Sequence, residues 1–166
     1  LIKGSFDIGY LNLPSEVLCT VMKNHQRYIP LFKEGKKSSK LEINSEKILS
    51  RNFLCISNGL KKSNEIIQHG NEKVLKARFA DAKFFIESDK NNSCEYRNKK
   101  IQDISYLKGL GNIFDRVKRI QYISGQIFAN INDISIDIKK MNLAAEFSKH
   151  DLCSEIVFEF PELQGL

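Results

Sequence analysis

The residues of this chain whose types and spacing can do chemistry are an adjacent histidine and aspartate, two carboxylates one helical turn apart, and cations set among aromatic rings. His150-Asp151 is a pair of neighbouring metal-ligating side chains. Joined by further His and Asp residues, such a pair would hold one or two divalent ions and activate water for phosphate-ester hydrolysis. Only His25 and His69 remain to complete that set, and neither stands in a context that suggests a ligand. Glu155 and Glu159 share a helical face, so they read either as an acid/base pair or as a solvated carboxylate face. No glycine-rich phosphate loop occurs. No residue is assigned as catalytic and none as a metal ligand.

The cations carry a different chemistry. Met22-Lys23-Asn24-His25-Gln26-Arg27-Tyr28 gathers donors, acceptors and a stacking ring where a helix gives way to a strand. That mixture suits a surface that meets phosphates and bases. It equally suits a helix end whose cations complement the dipole. From Gly70 to Phe85, the cations Lys73, Lys76, Arg78 and Lys83 fall within about three helical turns. They form either a stripe that follows a nucleic-acid backbone or a solvated basic face with acidic partners. Asn71 is expected to cap this helix, with Glu72 near its positive end. Phe79, Phe84 and Phe85 read as core rather than as stacking platforms.

The elements that must position these residues follow from composition and periodicity. With 166 residues, 42% of them hydrophobic and 11 of them Phe, the chain can bury a core as one large domain or two small ones. Its 26 basic and 20 acidic residues leave a charge of +6, which favours a polyanionic partner without proving one. Cys19, Cys55, Cys94 and Cys153 lie too far apart for a structural zinc site and read as reduced thiols. No apolar run approaches 18 residues and no signal-peptide pattern opens the chain, so no membrane span is expected. Both ends look cut, which makes a piece of a longer protein the expectation.

Residues 1–63 are expected to form a small α/β unit. Leu13-Pro14-Ser15-Glu16 starts a helix, with Val17, Leu18, Val21 and Met22 on one face. Residues 28–32 and 51–57 are strand-like and would pair across the Lys/Ser-rich stretch 33–47, with Pro30 best placed on an edge. Asn58-Gly59 marks a turn. Residues 64–166 turn helical. Val74, Leu75, Phe79, Ala82 and Ile86 mark one amphipathic helix, followed by a loop from Ser88 to about Ser93. Gly109-Leu110-Gly111 is a second break. Ile113, Val117, Ile120, Ile123 and Ile127 mark a further helix, and residues 134–149 and 151–159 read as two shorter ones, the last ended by Pro161. The expected class is α+β, a small sheet unit leading into a mostly helical bundle.

Taken in order, these stretches resemble the beta subunit of bacterial two-subunit glycyl-tRNA synthetase. The resemblance rests on Leu13 to Leu18, Met22 to Tyr28, Phe53 to Gly59, Gly70 to Phe85, Leu110 to Arg116, Lys149 to Leu152 and Glu159 to Gly165. It spans nearly the whole chain, while residues 33–47 and 88–103 match poorly. His150 stands where the family usually carries a small residue, so the His-Asp pair looks incidental. The resemblance implies a cytoplasmic, hetero-oligomeric enzyme that activates glycine with ATP and Mg2+ and esterifies it to tRNA(Gly). It also implies that the alpha subunit holds the adenylate-forming site. The beta subunit would supply tRNA binding and assembly, and this fragment would bind no cofactor of its own. In agreement, the sequence shows neither the HIGH and KMSKS phrases of class I synthetases nor a class II motif. The helical half would be the family's HD-like region with its hydrolase metal set lost. The residues put forward for tRNA or interface contact are His25, Arg27, Lys73, Arg78 and Lys149. The rival reading is an HD-type metal-dependent phosphohydrolase.

Overall fold

The computed structural model describes residues 1–34, 47–131 and 137–166. The class is α+β, as the sequence pattern predicts. The chain divides into two compact units, Leu1–Phe85 and Ile86–Leu166.

The first unit is built on a three-stranded antiparallel sheet of β1 (Ile2–Ser5), β2 (Ile29–Glu34) and β3 (Lys47–Cys55), in the order β1-β3-β2. The β2–β3 pairing is the one expected from the sequence, although residues 35–46 of the stretch between them lie outside the described residues. Pro30 lies on the edge strand opposite Phe53, and the register shifts between Pro30 and Phe32. Its missing N–H therefore falls where the ladder is already interrupted. β1 is too short to betray itself by alternation. Gly4 sits there because a Cβ would come within 2.4 Å of the Phe53 ring, a ring that also stacks on Tyr28 at 4.8 Å.

The helix predicted after Pro14 is α1 (Ser15–Thr20), which passes directly into a π-helical turn at Val21–His25. Val17, Leu18, Val21 and Met22 are all buried, so the apolar spacing reads correctly even though the turn widens. The long α2 (Asn64–Lys90) then follows. It runs straight through Gly70, so Asn71 and Glu72 are interior residues and not a cap. An interior glycine costs about 1 kcal/mol in a helix. Burying Leu75, Phe79 and Ala82, all fully enclosed, outweighs that cost. Phe79 meets Phe6 edge-on at 4.9 Å. The Glu72 carboxylate accepts the Ser5 N–H at 2.8 Å and ties α2 to β1. Phe84 is 65% exposed and does not belong to the core. The helix continues through Ser88, where a loop is expected, to Lys90.

The second unit carries α3 (Cys94–Lys100), a hairpin of β4 (Ser105–Leu107) and β5 (Gly111–Asn112), α4 (Ile113–Asn130), α5 (Ile138–Phe147) and the short α6 (Glu155–Glu159). The Gly109–Gly111 break is the hairpin turn, with both glycines at positive φ. Asn112 and Asp115 then form a reciprocal capping box at the start of α4. Ile101, Ile113 and Val117 make a buried cluster, with Phe114, Leu152 and Cys153 against it. Asp89, only 7% exposed, accepts the N–H groups of Glu155 and Ile156 at 2.9 and 3.0 Å, and so holds the start of α6. The Arg97 guanidinium donates to the Asp89 carbonyl.

Candidate nucleic-acid interface

The segment Met22–Tyr28 closes its helix in an unusual way. The N–H of Tyr28 reaches back six residues to the Met22 carbonyl at 2.8 Å, and the N–H of Arg27 bonds the Lys23 carbonyl at 3.2 Å. The common glycine-capped end spans five residues at most; the extra one comes from the π turn. Arg27 takes the left-handed position, with φ at 54°. A residue with a side chain there costs about 1–2 kcal/mol, which glycine would avoid. Arg27 itself is exposed, while Tyr28 is buried beside it. Burial, and secondarily the Cys55 thiol, push the Tyr28 phenol above its ordinary range, so its ring meets any ligand neutral.

This turn forms one wall of an open groove of about 440 Å³. Gln26, Arg27 and Tyr28 come from the turn. Cys55, Ile56 and Ser57 come from the end of β3, and Ile67 and Asn71 from α2. Asn71 Nδ2 donates to Cys55 Sγ at 3.0 Å, and Ser57 Oγ accepts the Gly59 N–H at 3.0 Å. Among the described residues that line it there is no carboxylate, so the Arg27 charge has no local anion in the groove. Ile56, 74% exposed, and Ile67 provide apolar flanks.

Of the five residues put forward from the sequence, His25 and Arg27 lie at the π turn and Lys73 and Arg78 on α2, all in the first unit. Arg27 alone of the five lines the groove. On α2, Lys73, Lys76 and Lys83 are exposed, whereas Arg78 is half-buried. At about 100° per residue, Arg78 stands roughly 140° round the helix from Lys73. The four-cation stripe is therefore three exposed lysines, with Arg78 off their face. Lys149 belongs to the second unit, where its carbonyl accepts the Leu152 N–H at 3.3 Å. The sequence reading gives Cys55 as a reduced thiol and Asn71 as a cap, and no ligand role for these two or for Ser57 follows from residue type. The phrases that contain them, Phe53–Gly59 and Gly70–Phe85, carried the only signal.

His150 and Asp151 sit on a 3-10 turn after α5 and not on an α-helix. His150 is 7% exposed, and its Nε2 meets Asn98 Oδ1 at 2.6 Å. An amide oxygen only accepts, so Nε2 carries the hydrogen. Asn98 in turn donates to Glu146 at 2.7 Å. Burial, then the nearby Arg97 charge, hold the imidazole below its ordinary range. Asp151 accepts the Gly165 N–H at 2.8 Å. Both side chains serve local structure. Among the described residues no group of three or more His, Cys, Asp or Glu side chains gathers to hold a metal, so nothing here favours the phosphohydrolase reading. Glu155 and Glu159 bound a helix of only five residues, whose first N–H is taken by Asp89. Likewise Arg116, within the Leu110–Arg116 phrase, lies over the Tyr106 ring at 4.6 Å.

The geometry thus defines an α+β polypeptide with a cationic, polar groove at a π turn, and with no helix among the described residues long and apolar enough to cross a membrane. All of residues 1–166 match the family described as glycyl-tRNA synthetase beta subunit, and the chain belongs to that family. A glycine–tRNA ligase beta subunit from Halothermothrix orenii is 39% identical over 163 residues, 98% of this chain. Its counterpart from Gloeothece citriformis is 39% identical over 165 residues, 99% of this chain. That from Bacillus subtilis is 36% identical over 163 residues, 98% of this chain. In each case the match covers 22% of the relative's own length.

Proposed function

We propose that these residues are a portion of a glycine–tRNA ligase beta subunit that supplies tRNA binding and assembly with an alpha subunit. The reaction is ATP-driven activation of glycine and its transfer to tRNA(Gly), in the cytoplasm, with the adenylate site and its Mg2+ on the alpha subunit. The observation that carries the reading is the family match, which runs unbroken from residue 1 to residue 166. The exposed lysines of α2 and the Arg27 groove, whose lining carries no carboxylate among the described residues, give that reading a physical basis, since cations that neutralise phosphates release counterions. Residues 64–166 would act as one helical region in the assembled subunit, consistent with the helical sequence pattern.

The test uses full-length beta subunit with alpha subunit. Lys73→Glu/Lys76→Glu is compared with wild type in glycylation, in tRNA(Gly) affinity and in binding to alpha. Both lysines are exposed on α2, so the fold is expected to survive. If each contacts a phosphate, the slope of log affinity against log salt flattens by roughly 1.4–1.8, and charging falls with affinity. Loss of alpha binding with unchanged tRNA affinity would assign this face to subunit docking alone. Failure of wild-type beta to support charging by active alpha would sink the reading as a whole.

A further inference from the structure

We infer that the groove at the π turn is a seat for one unpaired ribonucleotide of an RNA strand. This deepens the RNA-binding reading above and rests on it.

Three observations lead there. First, the groove is assembled from chain segments far apart in sequence, the π turn, the end of β3 and the first half of α2. Its volume of about 440 Å³ lies within the range of small-ligand sites. Second, Arg27 is held at φ 54°, a strained position that places a guanidinium at the rim where glycine would be the relaxed choice. Strain of this kind persists where its surroundings fix it and is concentrated at ligand clamps. Third, the chemistry of the walls is that of a nucleotide. A guanidinium grips a phosphate with two parallel donors. The carboxamides of Gln26 and Asn71 can read base edges, the Ser57 hydroxyl is placed for a ribose, and Ile56 and Ile67 offer apolar surface to a base face.

A peptide strand is a poorer occupant. β3 is the central strand, paired with β1 on one side and β2 on the other. At the groove β3 ends at Cys55, and its pairing to β2 stops at Leu54. Only the short stretch 55–57 could pair with an extended peptide, too little for an added strand. A base-paired nucleotide is also a poorer fit, because in a duplex the base edges are already occupied. The inference is therefore specific to a splayed-out nucleotide.

The experiment uses full-length beta subunit assembled with alpha, and tRNA(Gly) affinity measured by fluorescence anisotropy at fixed salt. Arg27→Gly removes the guanidinium and relaxes the backbone together. The expected result is a loss of affinity of about tenfold, the low end for one charge-assisted hydrogen bond, with a rise in the thermal midpoint. Asn71→Asp places a carboxylate in the groove and is expected to lose affinity by as much or more. A four-nucleotide single-stranded oligoribonucleotide should compete with tRNA for the wild type, whereas a blunt duplex of equal charge should not, and Asn71→Asp should lose that competition. If Arg27→Gly raises the midpoint while affinity stays within twofold, Arg27 is only a helix cap and the inference is overturned. Equal competition by duplex and single strand overturns it too. If wild-type enzyme binds no tRNA(Gly), the functional reading itself fails, which is a distinct outcome from failure of the groove variants alone.

Discussion

Asp89 is the residue on which the local order of the second unit's last helix depends, and Asp89→Asn isolates its contribution. The wild-type carboxylate receives two backbone N–H groups, from Glu155 and Ile156, at 2.9 and 3.0 Å. Asparagine keeps one accepting oxygen and turns a donor toward the other N–H. Hydrogen bonds to a charged partner each contribute about 1.5–3 kcal/mol. Losing one and weakening the other therefore costs about 3 kcal/mol, close to a hundredfold in the local opening constant. Hydrogen exchange with mass spectrometry on the full-length subunit reads this directly in the peptide spanning 152–160. Ser154→Ala serves as a scale, since it removes the hydroxyl that accepts the Val157 N–H at 3.3 Å and donates to the Asp151 carbonyl at 2.6 Å, a loss of about 1–2 kcal/mol. Exchange of that peptide within threefold of wild type in Asp89→Asn, or a larger effect from Ser154→Ala, would refute the reasoning.

Two further outcomes follow from the packing and the electrostatics. Gly4→Ala should destabilise the first unit by about 1–3 kcal/mol, the usual range for forced overpacking, because the new Cβ meets the buried Phe53 ring. Exchange protection in β1 and β3 measures it. His150 has a depressed folded-state pKa, so the unfolded chain takes up its proton more readily. Its contribution to stability is therefore intact above the ordinary histidine value near 6.5 and is lost as pH falls below it. Protection around residues 146–154 should drop between pH 7.5 and 5.5, and His150→Gln should flatten that dependence.

What the sequence made legible was whatever depends on spacing along the chain. Pro30 points to an edge strand because a missing N–H has few places to go, and the structure puts it there. Leu75, Phe79 and Ala82 announce a buried helix face by their period. The misreadings arise where a tertiary contact overrides a local signal. Gly70 looks like a helix boundary, yet it lies within α2 because the burial beyond it is worth more than one glycine costs. Phe84 looks like core by type and faces water, since hydrophobicity alone does not say which stripe finds a partner. In the same way Ile123 and Ile127 continue the period of α4 but are more than half exposed. The groove was the least legible of all. Its walls meet only in three dimensions, and neither the left-handed Arg27 nor the hydrogen bond from Asn71 to Cys55 leaves a trace in composition or period.

The π turn at Val21–His25 has a consequence for how this segment can change over generations. Such a turn arises when one residue is inserted into an α-helix while both ends stay anchored. Here the anchors are buried Val17 and Leu18 on one side and β2 on the other. Deleting exposed Lys23 or Asn24 from the turn would restore a regular helix and swing Gln26, Arg27 and Tyr28 by about 100°. The groove would lose a wall, and the core would lose the Tyr28 ring that stacks on Phe53. A lineage could shed that residue only by giving up the groove and repacking the space that Tyr28 fills. The length of this turn, more than the identity of any residue in it, is thus the inherited character to follow among descendants.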